Sequence, residues 1–251
     1  MEEALRRQQN AEPGPEGPDD RAPIFNLPTV ILLFIFGLAA IYLIQTYLLS
    51  VELNDRVYVN FGFIPARYAY ALGMADLAWL WTPVTYSLLH GSISHLVFNS
   101  LWLAAFGTPV ALRIGAFRFV VFWVLSAAAS AFFFMGLHWG EPSLLIGASG
   151  SVSALMGSAC RFVFAEGRGL RSADVHLNTR MTMLEALRNR TAFIFIVAWL
   201  AGNLLFAFGI PFAGMQGQSI AWEAHIGGFL FGFILLDLFD PRQPARHSKE
   251  L

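Results

Sequence analysis

Three short clusters of polar residues interrupt an otherwise apolar chain, and each contains side chains that could take part in acyl transfer. The clusters are His90 with His95 and Asn99, Ser149 between Gly147 and Gly150, and His225 with Gly228 and Gly232. Polar groups cost free energy in hydrocarbon, so they persist in membrane-spanning segments where they serve a function. The types present are a hydroxyl nucleophile, imidazole bases and amide hydrogen-bond donors.

The composition indicates an integral membrane protein. Of the 251 residues, 56% are hydrophobic and 13% are charged, whereas a soluble domain has about 25% charged residues. The net charge of −1 gives no indication of a nucleic-acid partner. The single cysteine, Cys160, excludes an internal disulfide and a cysteine-based zinc cluster, and it is interpreted as a packing residue.

Six stretches are long enough to cross a bilayer, so the sequence predicts an all-α, six-span membrane bundle. Fourteen of the 16 Lys and Arg residues fall in segments on one side of these spans, and only Arg56 and Arg67 fall on the other. The positive-inside rule therefore predicts that both termini are cytoplasmic. The compact six-span plan without an appended span favours a bacterial plasma membrane. The predicted spans are 28–49, 95–112, 119–138, 147–165, 191–210 and 222–239.

The same topology places all three polar clusters at one depth. Spans two, four and six would run from outside to inside, and each cluster lies at the start of one of them, within about 4–8 Å of its outer end. A long first outer loop, about 50–94, contains two apolar pieces too short to cross, Val57–Pro65 and Leu77–Trp81. These pieces are expected to form an interfacial element.

The chain is predicted to have one membrane domain between two tails. Residues 1–23 are rich in acidic residues and proline and read as a disordered cytoplasmic tail rather than a signal peptide. Residues 24–240 form the predicted membrane domain, and residues 241–251 form a cytoplasmic C-terminal tail.

Ser149 and His225 could form a nucleophile–base pair. Small neighbours would expose the Ser149 hydroxyl, and the start of a helix leaves backbone N–H groups free to bind an oxyanion. Gly228 and Gly232 would let span six approach the small face of span four, formed by Gly150, Ala154 and Gly157, which would bring His225 toward Ser149. The alternatives are ordinary small-residue helix packing and an interfacial histidine with a structural hydrogen bond.

His95 and Asn99 are four residues apart, so they share one face of span two and could both donate to an oxyanion. The alternative is a polar clasp between helices, and His90 could anchor the loop end. No acidic residue fits a triad, because Asp237 lies about 18 Å along the helix from His225 and Glu223 points away from it. The main rival chemistry is a zinc site formed by His90, His95 and His225.

In order and placement, these motifs resemble those of the rhomboid intramembrane serine proteases. The stretch from His90 through His95 to Asn99 is similar to the family's second-span motif. Gly147-Ala148-Ser149-Gly150 is similar to its Gly-x-Ser-Gly motif, and Ala224–Gly228 to its sixth-span histidine motif. Phe61–Pro65 is similar to first-loop sequences of bacterial members. The resemblance covers about residues 24–240.

The resemblance implies an endopeptidase that cleaves single-span or other membrane-protein substrates in the bilayer without a metal or cofactor. It implies that Ser149 is the nucleophile, that His225 is the base, and that His95, Asn99 and the Ser149 N–H form the oxyanion hole. It also implies that Phe98 faces the fifth span, where substrate would enter, and that a loop at about 211–221 caps the site.

Two positions depart from the family pattern. Ser153 stands where a tyrosine often stacks on the base, and Thr82 follows Trp81 where the family often has arginine. A catalytically impaired member that binds transmembrane helices is therefore one alternative function. A histidine-lined metal or proton transporter is another.

Overall fold

A computed structural model describes residues 27–70, 77–165, 174–208 and 221–241 of the chain. These residues are mostly helical, and their only β-type pairing is an isolated bridge between Phe63 and Leu145. The α-helices are α1 Thr29–Tyr47, α2 Val51–Phe61, α3 Ala66–Tyr70, α4 Thr82–Thr85, α5 Ile93–Trp102, α6 Thr108–Ile114, α7 Ala116–Leu137, α8 Ser149–Ala159, α9 Met183–Arg188, α10 Arg190–Ala207 and α11 Trp222–Phe239. Short 3₁₀ turns span Leu77–Leu80, Tyr86–Leu88 and Val175–Leu177. Apart from Pro241, both predicted tails lie outside the described residues.

Within the described ranges, four helical segments are long and apolar enough to cross a membrane, as expected of an all-α polytopic bundle. They are Thr29–Tyr47, Ile93–Ile114, Ala116–Leu137 and Trp222–Phe239. The predicted fifth span corresponds to α10, whose apolar part is the shorter stretch Arg190–Leu205. The predicted fourth span corresponds to α8, which has only 11 residues. The count of six crossings therefore remains a prediction.

The second span is continuous but widens in its middle. Between α5 and α6 the helix makes a π-turn over Leu103–Gly107, which ends two residues before Pro109. Proline has no N–H to donate to the carbonyl one turn earlier, and a π-bulge is one way in which a helix absorbs that loss. The neighbouring Thr108 hydroxyl donates to the carbonyl of Ala104 at 2.6 Å.

Helix α8 is short because it lies inside the bundle. Every residue from Gly150 to Ala159 is buried, so the helix does not need to match the thickness of the hydrocarbon. Its end is followed by turns through residue 165, and the Asn178 side chain donates to the carbonyl of Phe162 in those turns at 3.2 Å. Non-helical backbone is tolerated at membrane depth when protein groups satisfy it in this way.

The close approach that the small residues predict is present between α8 and α11. A Cβ added to Gly232 would overlap the carbonyl of Ala154, and one added to Gly157 would overlap the carbonyl of Phe229. Glycine on both helices therefore permits direct backbone contact, as in closely packed membrane helices.

Short helices and side-chain hydrogen bonds to backbone carbonyls brace the first outer loop. The indole of Trp81 donates to the carbonyl of Asn60 at 2.7 Å, and the Thr85 hydroxyl donates to the carbonyl of Phe61 at 2.7 Å. Arg67 donates to the carbonyl of Val59 at 2.7 Å. Thr82 itself is completely buried. The three hydrogen bonds made by Trp81, Thr85 and Arg67 hold the loop without an arginine at position 82.

Ion pairs made by largely buried arginines hold the opposite end of the bundle. Arg113 pairs with Asp240 at 2.8 Å, and Arg161 pairs with Asp237 at 3.1 Å. Arg180 contacts both aspartates. Asp237 is therefore engaged far from the polar clusters, as its spacing along the helix predicts.

Candidate active site

The backbone conformation of Gly147 and its contact with His95 shape the loop that leads into α8. Gly147 has a φ of +117°, a conformation that side-chain-bearing residues rarely adopt. A Cβ at this position would lie 2.6 Å from Nε2 of His95. The Gly147 N–H donates to the carbonyl of Tyr86 at 2.9 Å. The first and second polar clusters are thus in contact, with the His95 imidazole against the loop that carries Ser149.

A second support for this loop comes from the first outer loop. The backbones of Phe63 and Leu145 exchange two hydrogen bonds of 2.8 and 3.1 Å. Phe63 is completely buried, and its neighbour Gly62 would clash with Leu144 if it carried a Cβ. The stretch that resembles bacterial first-loop sequences therefore anchors the chain just before Gly147.

Ser149 is the first residue of α8 and is half-buried. The first hydrogen bond within this helix runs from the N–H of Val152 to the carbonyl of Ala148 at 2.9 Å. Helix geometry therefore leaves the N–H groups of Ser149 and Gly150 without an acceptor in the helix. Such N–H groups can stabilise an anion at the position of the Ser149 hydroxyl.

The third cluster meets the second at Gly228 and Gly150. A Cβ at Gly228 would overlap the carbonyl oxygen of Gly150 and would lie 2.7 Å from the Ser130 hydroxyl of α7. Gly150 follows Ser149 directly, and Gly228 lies one turn below His225. This contact therefore sets the first turn of α11 beside the first turn of α8.

The imidazole of His225 is held by a residue that we did not identify from sequence, Asn203 of α10. Its Nδ1 lies 2.8 Å from Oδ1 of Asn203, and Asn203 is only 4% exposed. The signal in the sequence was a single asparagine in the most apolar part of the predicted fifth span, where a polar side chain indicates a specific partner. Ser153 is buried in α8, and the structure shows no aromatic ring at that position to stack on His225.

Asn99 and His90 form a hydrogen-bonded pair beside His95. Nδ2 of Asn99 lies 3.1 Å from Nε2 of His90, and Asn99 is 4% exposed. The His90 and His95 rings meet edge to face, with centroids 5.0 Å apart. Burial, and secondarily the neighbouring His95, lowers the pKa of His90 to about 3. His90 is therefore neutral near pH 7 and can accept one Asn99 N–H, which leaves the other N–H of that amide available.

Two predicted features of the site, the gate role of Phe98 and the capping loop, stay predictions. Phe98 is 37% exposed, and no aromatic ring in the described ranges contacts it. Two rings of α10, those of Phe195 and Trp199, pack on Phe106, Phe164 and Phe229. The role of Phe98 toward the fifth span stays a prediction, and the loop expected to cap the site lies outside the described residues.

The zinc alternative predicts that His90, His95 and His225 converge on one metal ion. In the part of the chain that the structure describes, no group of three or more His, Cys, Asp or Glu side chains is arranged to hold a metal ion. His90 and His225 each hydrogen-bond an asparagine amide instead.

A further polar cluster lies beside the site and was not predicted. Nδ1 of His138 lies 2.7 Å from a Glu141 carboxylate oxygen, and its Nε2 lies 3.1 Å from a Glu223 carboxylate oxygen. Glu223 is indeed turned away from His225, and its partner comes from the loop after α7. Burial lowers the pKa of His138, but hydrogen bonds and charge interactions with the two glutamates outweigh it and raise the pKa overall.

The fold and the site together define a helical integral membrane protein with serine, histidine and asparagine side chains gathered at one end of its bundle. The family model described as "Rhomboid domain" matches residues 78–241. The chain belongs to the rhomboid family.

Curated proteins named "Rhomboid protease GlpG" are similar to it. The protein from Serratia proteamaculans (strain 568) is 31% identical over 174 residues, which cover 68% of this chain and 51% of the relative. The protein from Pectobacterium atrosepticum is 29% identical over 62% of this chain and 47% of the relative. The protein from Yersinia pestis is 28% identical over 69% of this chain and 56% of the relative. The chain thus spans about half the length of these relatives.

Proposed function

We propose that the chain is an intramembrane serine endopeptidase that cleaves transmembrane segments of membrane-anchored proteins through a Ser149–His225 dyad and an acyl-enzyme. The observation that carries this proposal is the contact between Gly228 and the carbonyl of Gly150. It sets the helix turns that bear His225 and Ser149 side by side, although the two residues are 76 positions apart in the chain. Similarity to proteins named as rhomboid proteases supports the same reaction class.

The proposed reaction begins with transfer of the Ser149 proton to Nε2 of His225 as the hydroxyl oxygen attacks a peptide carbonyl. The oxyanion that forms accepts hydrogen bonds from the Ser149 N–H, the remaining Asn99 N–H and His95. His225 then protonates the departing amine, and water releases the acyl group with His225 again as base. The neutral His90 supports this scheme because it orients Asn99 without adding charge.

The substrate is expected to expose an extended stretch of backbone at the outer end of its span. A carbonyl in an intact helix is bonded to an N–H one turn away and is shielded from attack. Helix-weakening glycine or proline near the cut would therefore favour cleavage. The site would be reached by water from the extracytoplasmic side, and both termini would be cytoplasmic.

The test compares purified wild type, Ser149→Ala and His225→Ala in liposomes with a panel of single-span substrates. The wild type should cleave and should be labelled by a fluorophosphonate probe, whereas both variants should lose both activities with an unchanged fold. Ser158→Ala is a matched control, because its hydroxyl lies in the same helix but donates to the carbonyl of Gly232 at 3.0 Å. Cleavage that survives in Ser149→Ala or His225→Ala would overturn the mechanism. A wild type that binds transmembrane helices but is never labelled would favour the helix-binding alternative.

A further inference from the structure

The side-chain amide of Asn203 is bonded at both ends. Its Nδ2 donates to the carbonyl of Trp199, one turn earlier in α10, at 3.0 Å. Its Oδ1 faces Nδ1 of His225 at 2.8 Å. Because a carbonyl can only accept, the nitrogen of this amide must face Trp199, and the oxygen must face His225.

This orientation determines the tautomer of His225. An amide oxygen can only accept a hydrogen bond, so Nδ1 of His225 must carry a proton. In the neutral imidazole the lone pair is then on Nε2, the nitrogen required to take a proton from a serine hydroxyl. Among serine hydrolases that use a triad, a carboxylate performs this orienting task and also stabilises the imidazolium. An amide can orient the ring but supplies no counter-charge.

The bond also restricts where the ring can lie. Asn203 is buried, and the neighbouring Trp199 ring stacks on Phe229 of α11 with centroids 4.3 Å apart. The Asn203–His225 hydrogen bond and the Trp199–Phe229 stacking contact, one helical turn apart along α10, both hold α10 against α11. Ser153 supplies no ring on the α8 side. Among the described residues, the contact that orients the imidazole is therefore the hydrogen bond that Nδ1 of His225 donates to Asn203.

We propose that Asn203 is a positioning residue for His225, which holds its neutral imidazole in the Nδ1-protonated tautomer with Nε2 free for proton transfer. This proposal rests on the proposed dyad for its catalytic consequence. Its structural content, the tautomer, can be measured without any cleavage assay. Asn203 does not touch the substrate carbonyl in this scheme and acts only through His225.

The kinetic test uses Asn203→Ala and Asn203→Asp in liposomes. Asn203→Ala should lower kcat by about 10- to 100-fold, by analogy with residues that orient metal-bound histidines, with a small change in KM and slower fluorophosphonate labelling. Asn203→Asp keeps the acceptor and adds a charge that favours the protonated imidazole. Because the base works in its neutral form, this variant should recover activity at alkaline pH, with the acid limb of its pH–rate profile moved to higher pH.

Gly202→Ala is the matched control, because it changes the adjacent residue of the same helix and an added Cβ there meets no atom within 4 Å. It should leave kcat and the pH profile unchanged. A merely structural role for Asn203 would lower thermal stability but would leave the profile of Asn203→Asp where the wild type has it. That result, or a kcat of Asn203→Ala equal to that of Gly202→Ala, would overturn the proposal.

The second measurement separates this proposal from the proposed function. Nitrogen NMR of protein labelled with ¹⁵N-histidine, assigned with His225→Gln, should show the Nδ1-protonated form of His225 in the wild type and a mixture of tautomers in Asn203→Ala. An Nε2-protonated wild type would overturn the positioning role even if the enzyme is active. The expected tautomer in a protein that never cleaves would leave the positioning role intact and remove the protease assignment.

Discussion

The α-carbon of Gly228 faces the carbonyl oxygen of Gly150 so closely that no Cβ can be accommodated between them. This contact lies one residue from Ser149 and three residues from His225. It therefore links the stability of the bundle to the geometry of the proposed dyad, because any atom inserted here must separate the two helices that carry it.

Gly228→Ala is expected to destabilise the protein and to abolish cleavage. The added methyl meets backbone, which cannot rotate away as a side chain can, and overpacking of this kind costs about 1–3 kcal/mol. Thermal unfolding in detergent and cleavage in liposomes measure the two effects. Gly37→Ala in α1 is the control, because a Cβ there meets no atom within 4 Å. Equal stability and activity in the two variants would contradict the close contact.

Gly147→Ala should abolish the proposed cleavage for two reasons that a second glycine can separate. Gly147 and Gly115 both have positive φ, +117° and +83°, so alanine should strain either backbone by about 1–3 kcal/mol. Only at Gly147 would the Cβ also displace the ring of His95. Both variants should therefore lose thermal stability, but only Gly147→Ala should lose cleavage. Inactivation of Gly115→Ala to the same degree would show that general destabilisation is the cause.

The hydrogen bond between His90 and Asn99 predicts that the two substitutions His90→Gln and His90→Leu differ in activity. Glutamine offers an oxygen to the Asn99 amide, whereas leucine leaves that buried amide without its partner. His90→Leu should lower kcat by about 10- to 100-fold, as loss of an orienting hydrogen bond does elsewhere, and His90→Gln should recover much of it. Rates at saturating substrate measure this difference. A fully active His90→Leu would mean that Asn99 does not need this support.

His90 should also make the protein less stable in acid. Its pKa is lowered from 6.5 to about 3 in the folded state, so between these values the unfolded chain binds a proton that the folded chain does not. The free energy of unfolding should therefore fall as pH falls from 6.5 toward 3. Denaturation curves at a series of pH values should show a smaller acid loss in His90→Gln than in the wild type. Parallel pH dependence in the two proteins would contradict the burial of a neutral imidazole.

The cluster of His138 with Glu141 and Glu223 should have the opposite pH dependence. The folded pKa of His138 is raised above its ordinary value of 6.5, so its contribution to stability is complete below that value and is lost as pH rises through the folded pKa. His138→Gln should therefore be less stable than the wild type at pH 5.5 and should match it at alkaline pH. Glu141→Gln, which removes the more exposed partner, should reduce this difference. A stability gap that is constant with pH would exclude an ion pair here.

The parts of the fold that depend on apolar content and small residues could be predicted from the sequence. The boundaries of α7 and α11 lie within a few residues of the predicted spans, because a break in hydropathy marks each end. The approach of α11 to α8 was also predictable, since both helices carry small residues at helical spacing and such residues let two backbones pack closely. The fourth span was predicted over 147–165, whereas α8 ends at Ala159 and turns follow it. Hydropathy could not show this shorter helix, because it does not distinguish a helix in lipid from one surrounded by protein.

The partners of single polar side chains could not be predicted. Asn203 is visible in the sequence as a lone polar residue. Its pairing with His225 depends on how α10 is rotated about the helix axis, and the apolar residues of α10 define no single face that would predict this rotation. The contact between His138 and Glu223 depends on the path of the loop after α7. His90 was expected to anchor the loop end, and its pairing with Asn99 of α5 could not be read from their spacing.

Every residue of α8 from Gly150 to Ala159 is buried, so the lipid does not contact this part of the helix that carries Ser149. Membranes of different thickness would tilt or thin around the outer helices, at a cost of fractions of a kcal/mol per ångström. That strain can reach the serine only through the neighbours of α8, above all through α11 along its glycine contacts. A change in lipid chain length should therefore act on this protein by shifting α11, which carries His225, relative to the buried helix α8.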